Sequence, residues 1–207
     1  MRVALLGGSG RIGQHVLTRA LADGHEVAVL ARRPQSVPPA AGLTVITGDA
    51  TDAGAVAEVI AGSDAVLSAL GPRGDKTADL LATAARAIGG GMQKASVQRL
   101  ICVSAAGAFI DGDPDTGRLI KFVLPKIFAG PFADVRAMEA VIAPSDLDWT
   151  LVRPTRLVNT AATGEYRVRP DYPPPGGRSI GRADVARFIL TALAERSWVR
   201  ARPALAY

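Results

Sequence analysis

Residues 3–21 read VALLGGSGRIGQHVLTRAL. An apolar run at 3–6 enters a turn holding Gly7, Gly8, Gly10 and Gly13. The chain leaves with Ile12, Val16, Leu17, Ala20 and Leu21 at helical spacing, and Gly24 stops a helix over 11–23. The apolar run has no polar alternation, as expected of a strand covered on both faces.

The same alternation of strand and helix continues downstream. Strands are expected at 26–31, 43–47, 65–69, 100–103 and 149–152, with a last short one at 201–207. Helices are expected at 52–61 with Asp52 as N-cap, at 76–88 ended by Gly89-Gly90-Gly91, at 133–143 and at 183–195. A repeated βαβ rhythm predicts an α/β fold: a doubly wound parallel sheet in one domain over 1–207. Loop-rich stretches interrupt it at about 105–118, extending to 130 on the substrate side, and at 155–181, where RPDYPPPGGR carries turn and polyproline chemistry. Pro125 argues against a straight helix in IKFVLPKIFAG, residues 120–130, which reads as a pocket lid or partner surface.

Composition narrows the class. The chain has 207 residues, 48% hydrophobic and 21% charged, as in a globular domain with a real core. No apolar run is long enough to span a bilayer, and no secretory leader is expected, so neither a membrane nor a secreted setting is foreseen. The single cysteine, Cys102, lies inside an apolar strand and reads as a buried thiol; cytoplasmic residence is expected. Net charge is +5, but the basic residues are scattered and aromatics are only 5%, so no nucleic-acid partner is expected. His15 and His25 with one cysteine make no metal set, and Asp111, Asp113 and Asp115 lack EF-hand spacing and read as a solvated loop.

The glycine spacing Gly7-x-x-Gly10-x-x-Gly13 gains its meaning from position. It follows a strand, opens a helix and lies within a βαβ unit, where backbone must approach a pyrophosphate and helix N–H groups face it. Ser9 adds a hydroxyl and Arg11 a charge. An NAD site would place an acid at the end of the second strand. Arg32 and Arg33 stand there instead and suit a 2′-phosphate, so the expected cofactor is NADP(H). Asp49 either bonds an adenine amine, with Ala50 beside it, or only caps a turn.

These pieces, with SALGP, ICVSAAGAF, LDWTLVRPTRL and GRADVARFIL in order, resemble the atypical short-chain dehydrogenase/reductase group with an NAD(P)H-binding domain, over almost the whole chain. Among its branches the chain is similar to the biliverdin reductase B/flavin reductase type and to NmrA-like proteins, some of which bind the dinucleotide without turnover. The resemblance implies a Rossmann sheet of order 3-2-1-4-5-6-7. It implies that Gly7, Ser9, Gly10, Arg11, Ile12 and Gly13 serve the phosphates, and Arg32 and Arg33 the 2′-phosphate. Asp49 and Ala50 would serve the adenine, and Ala69, Leu70 and Gly71 the ribose. Ser104 would stand at the nicotinamide as the candidate catalytic residue, with Arg153, Pro154 and Thr155 alongside. Ser104 otherwise reads as a strand-end serine bonded locally.

The chain departs from ordinary short-chain dehydrogenases in one respect. None of Tyr166, Tyr172 and Tyr207 is followed by a lysine at Tyr-x-x-x-Lys spacing, and GPFADVRAMEAVI occupies the region where that motif would lie, with Asp134 and Arg136. The expected activity is therefore NADPH-dependent hydride transfer to a flavin- or quinone-like small molecule, whose proton can come from water. The alternative is a non-catalytic NADP(H) sensor. A monomer or homodimer is expected.

Overall fold

The computed structural model describes residues 1–71 and 79–207. The first half alternates β1 (Arg2–Leu6), α1 (Arg11–Ala22), β2 (Glu26–Ala31), β3 (Leu43–Thr47), α2 (Ala53–Ile60), β4 (Ala65–Ser68) and α3 (Leu80–Ala95). It continues through β5 (Arg99–Val103), α4 (Arg118–Ile127), α5 (Ala129–Ile142), β6 (Asp148–Pro154), β7 (Arg156–Val158), β8 (Arg167–Pro170), β9 (Ser179–Gly181), α6 (Arg182–Ala194) and β10 (Pro203–Ala206).

The main sheet runs β3-β2-β1-β4-β5-β6-β10-β8. The expected order holds through seven strands, β10 being the seventh and parallel to β6. An unforeseen eighth, β8, closes the edge antiparallel to β10, and β7 pairs with β9 in a separate parallel ribbon. The segment 155–181 is thus partly strand. Its strands have three or four residues each, too short for a period to show among prolines and arginines.

The central strands are apolar throughout because both faces are covered. Val3 and Leu5 pack with Val16, Leu17, Phe188 and Ile189 under α1 and α6. Ala4 and Leu6, pointing the other way, pack with Val56, Ile60, Leu81, Ile88 and Met138 under α2, α3 and α5. Each fully buried Leu or Val contributes about 2 kcal/mol of hydrophobic stabilisation before entropy is counted. Asp52 caps α2 as expected, accepting from the N–H groups of Gly54 (2.8 Å) and Ala55 (3.3 Å).

Two helix boundaries differ from expectation, and α4 is a helix where a loop-rich stretch was expected. Gly89-Gly90-Gly91 does not end α3, which runs on to Ala95 and stops at Ser96, whose φ is +57°. Gly91 instead packs on α2: a Cβ there would lie 3.0 Å from Ile60 Cδ1 and 3.3 Å from Ala57 Cα. The start expected for this helix, residues 76–78, lies outside the described residues. Helix α5 begins at Ala129, before Gly130 and Pro131, because a proline in the first turn forfeits only an N–H that has no helical partner. Pro125 is accommodated near the end of α4, which breaks at Phe128.

Candidate functional site

Parallel register sets one row across the sheet: Ile46, Leu30, Leu6, Ser68, Cys102 and Leu151. Gly7, Arg32, Ala69, Ser104 and Arg153 each follow that row by one or two positions, and Asp49 by three. The expected cofactor residues therefore emerge together at the C-terminal edge of the sheet, where open α/β sheets bind their ligands.

The glycine turn is compact. Gly7 has φ +84°, and a Cβ there would lie 2.7 Å from the carbonyl carbon and oxygen of Ala69. Ala69 and Leu70 thus run directly against the turn. The Gly10 N–H donates to the Gly7 carbonyl at 2.8 Å, and a Cβ on Gly13 would overlap that same carbonyl oxygen. Only glycine lets α1 start this close to the end of β1. No acid stands in the first turn of α1 and no side chain caps it, so among the described residues no carboxylate opposes its N–H groups or the adjoining Ser9 and Arg11. The residues present fit a dinucleotide phosphate on these grounds.

Arg32 and Arg33 are exposed just past β2. Arg32 Nη1 lies 3.8 Å from Asp49 Oδ2, a loose contact between half-exposed groups that contributes little and leaves the guanidinium available. Asp49 is bound into its own turn. Its Oδ1 accepts from the Thr51 N–H (2.9 Å) and hydroxyl (2.7 Å), and these bonds hold its carboxyl below the usual range. Ala50 is half-buried beside it, and Gly71 is exposed, with no atom of the described residues near the place of a Cβ.

Ser104 is buried at the end of β5, its N–H bonded to the Val152 carbonyl. Its side chain is neither bonded to local backbone nor left free, but bonded to a residue of α5. Its hydroxyl donates to Glu139 Oε1, and Arg153 holds the same carboxylate with Nε on Oε1 (3.0 Å) and Nη2 on Oε2 (2.6 Å). Arg202 Nε stands 3.4 Å from Oε2. Arg153 is itself buried, stacked 3.7 Å over the Phe109 ring, with Nη1 donating to the Asp171 carbonyl. Its guanidinium is thus spent on Glu139, Asp171 and Phe109. Thr155 bonds the Leu205 carbonyl through both N–H and hydroxyl, and Pro154 ends β6.

Asp134 and Arg136, in place of a Tyr–Lys pair, are structural. Asp134 is buried and accepts from the N–H groups of Leu81 (2.9 Å) and Ala82 (3.1 Å), capping α3. Arg136 donates to the Ala108 carbonyl. The aspartate loop is also tighter than expected: Asp113 is buried, accepts from Thr116, and with Asp115 faces Arg169.

Two site residues escaped the sequence reading. Glu139 left a signal, for it falls on the apolar face of α5 with Val135, Met138 and Ile142. Arg182 left none. It opens α6 near Arg11, and burial first, then the Arg11 charge, hold its pKa below the ordinary arginine value. Two cations gathered at the mouth of the turn favour a phosphate there.

Comparison with known proteins agrees with this geometry. A family model described as NAD(P)H-binding matches residues 7–196. ChuY, an anaerobillin reductase from Escherichia coli O157:H7, is 25% identical, with a TM-score of 0.82 over 100% of this chain and 97% of that one. A short-chain dehydrogenase/reductase from Veillonella parvula, solved in complex with NADP, superposes with a TM-score of 0.83 over 100% of this chain and 94% of that one, at 19% identity, a likeness of fold. A 3-beta-hydroxysteroid dehydrogenase of Mycolicibacterium neoaurum is 40% identical over 65 residues, 31% of this chain but only 18% of that protein's length. From the glycine turn to the end of α6, the chain belongs to the NAD(P)H-binding family.

Proposed function

We propose that the protein is an NADPH-dependent reductase passing hydride to a flat, flavin- or quinone-like acceptor. The observation that carries the reading is the glycine turn, unopposed by any carboxylate among the described residues, together with Arg32 and Arg33 and no acid at the end of β2. Bound NADPH would supply the hydride, and water the proton that completes the acceptor's two-electron reduction.

The chain's own part is to bind and orient. Gly7, Ser9, Gly10, Arg11, Ile12 and Gly13 would take the diphosphate, joined by Arg182. Arg32 and Arg33 would take the 2′-phosphate. Asp49 and Ala50 would border the adenine, and Ala69, Leu70 and Gly71 the ribose. Ser104, whose hydrogen goes to Glu139, has only lone pairs to offer, and so would accept an N–H from a nicotinamide amide. Arg153 acts through Glu139 and is a positioning residue, with Pro154 and Thr155 setting the end of β6. ChuY's description as a reductase supports the direction of the chemistry. A cytoplasmic setting, read from the lone buried thiol, and a monomeric or homodimeric state belong to the same proposal.

A non-catalytic NADP(H) sensor is the second reading, favoured by the commitment of the Ser104 hydrogen and the absence of a Tyr-x-x-x-Lys pair. Incubating the purified protein with NADPH and a panel of flavins and quinones separates the two. Consumption of NADPH in step with acceptor, well above background, is expected. Tight NADPH binding by calorimetry with no consumption across the panel would replace the reductase with the sensor.

A further inference from the structure

Helix α4 is built inside out. It contains no buried residue, and its apolar side chains point to water: Leu119 is 74% exposed, Ile127 67% and Phe122 63%, with Ile120 and Val123 also exposed. At helical spacing these five occupy one arc of roughly 160°. The opposite side carries Leu124, which packs against Gly107 in the turn after β5. Phe128, exposed, continues the apolar face past the helix end, against Phe132 at a ring separation of 5.4 Å.

Charge tells what can cover this face. Lys126 lies within this face and Arg118 borders it, while Lys121 projects from the far side of the helix, and no acid occurs from Thr116 to Ala133. Lys126 Nζ lies 3.6 Å over the Phe122 ring, so a cation rides on the apolar surface itself. The preceding acids, Asp113 and Asp115, face Arg169. A second copy docked face to face would bring four cations, Arg118 and Lys126 of each copy, together around an apolar seam with no counter-charge. A lipid interface supplies both needs, with acyl chains for the five apolar residues and anionic headgroups for Arg118 and Lys126.

We propose that α4 docks the protein reversibly on an anionic lipid surface. No membrane partner is expected from the sequence, and no helix among the described residues is long and apolar enough to cross a bilayer; the exposed face of α4 is the ground for departing from the first of these. Surface docking asks only for an amphipathic helix of this composition. The inference stands on α4 alone and is independent of turnover.

The test is sedimentation of the full chain with vesicles of phosphatidylcholine, alone or with one third phosphatidylglycerol. Binding to the anionic vesicles is expected, at least tenfold weaker to neutral ones and weakened by salt. R118Q/K126Q should lower the anionic partition roughly thirtyfold. L119S/F122S/I127S should abolish it. Both variants should keep the circular dichroism spectrum and NADP affinity of the parent, because none of these side chains belongs to the cofactor site. Failure of the wild type to bind anionic vesicles, equal binding to both lipids, or binding unchanged in the variants would each overturn the proposal. A dimer dissolved by L119S/F122S/I127S, with no vesicle binding, would assign the face to a second copy.

Discussion

A carboxylate almost wholly removed from water needs a donor on each oxygen, and Glu139 has them: Ser104 and Arg153 Nε on one, Arg153 Nη2 and Arg202 at the other. Glu139→Ala would leave Arg153 buried and unpaired, at a cost of about 3–5 kcal/mol in urea denaturation. Ser104→Ala leaves that ion pair intact and should cost only about 1 kcal/mol. The two variants also differ in kinetics. Ser104→Ala should lower turnover while the fold holds, whereas Arg153→Lys should disturb both, because an ammonium cannot reproduce the two-point grip on Glu139. A Ser104→Ala enzyme with unchanged kcat and KM would remove Ser104 from the reacting end. Resemblance pointed to Ser104 and Arg153, which the structure brings onto one carboxylate, but gave no hint of the acid between them. An acid on an apolar helix face was the available sign, and its partners come from β5 and β6, which no local pattern joins.

At the scale of elements, the clearest departures come from contacts distant in sequence. Helix α3 passes through three glycines because one of them, Gly91, is where α2 crosses, while Gly90 is exposed with nothing near its Cα. Gly90→Ala should therefore stabilise by about 0.5–1 kcal/mol, the helical preference of alanine over glycine. Gly91→Ala should lose that gain to the contact with Ile60 and Ala57. Chemical denaturation of the pair checks this, and equal gains at both positions would deny Gly91 its packing role. The N-terminus of α3 depends on Asp134, more than 50 residues away. Asp134→Ala should cost about 1–2 kcal/mol and Asp134→Asn, which keeps an acceptor, less. Strands β1 to β6 and helices α1, α2 and α6 were legible because each carries its own apolar period. Strands β7, β8 and β9 were not, since each exists only through its partner.

At the scale of the whole molecule, Tyr207, just past β10, ties the far edge of the sheet to the start of α6. The Tyr207 hydroxyl donates to Asp184 Oδ2 at 2.7 Å and accepts from the Gly181 N–H at 2.9 Å. Burial alone would raise the Asp184 carboxyl, but bonds from Tyr207, Gly164 and Thr163 outweigh it and hold the pKa below the usual carboxylate value. A depressed folded pKa gives stability that is complete above the unfolded value and lost as pH falls through the folded one. Melting temperature should be level above about pH 5 and fall in acid. Asp184→Asn should melt lower at neutral pH and show a shallower acid limb. An identical acid limb in the variant would assign the loss to other carboxylates. The central claim, that the C-terminal edge of the sheet is an NADP(H) site, is tested most directly by calorimetric titration. NADP and NAD are titrated into the wild type and into R32A/R33A. The account predicts tighter binding of NADP by the wild type, and a loss of at least about tenfold for NADP with little change for NAD in the variant. Equal affinities in the wild type, or equal losses for both nucleotides, would contradict it.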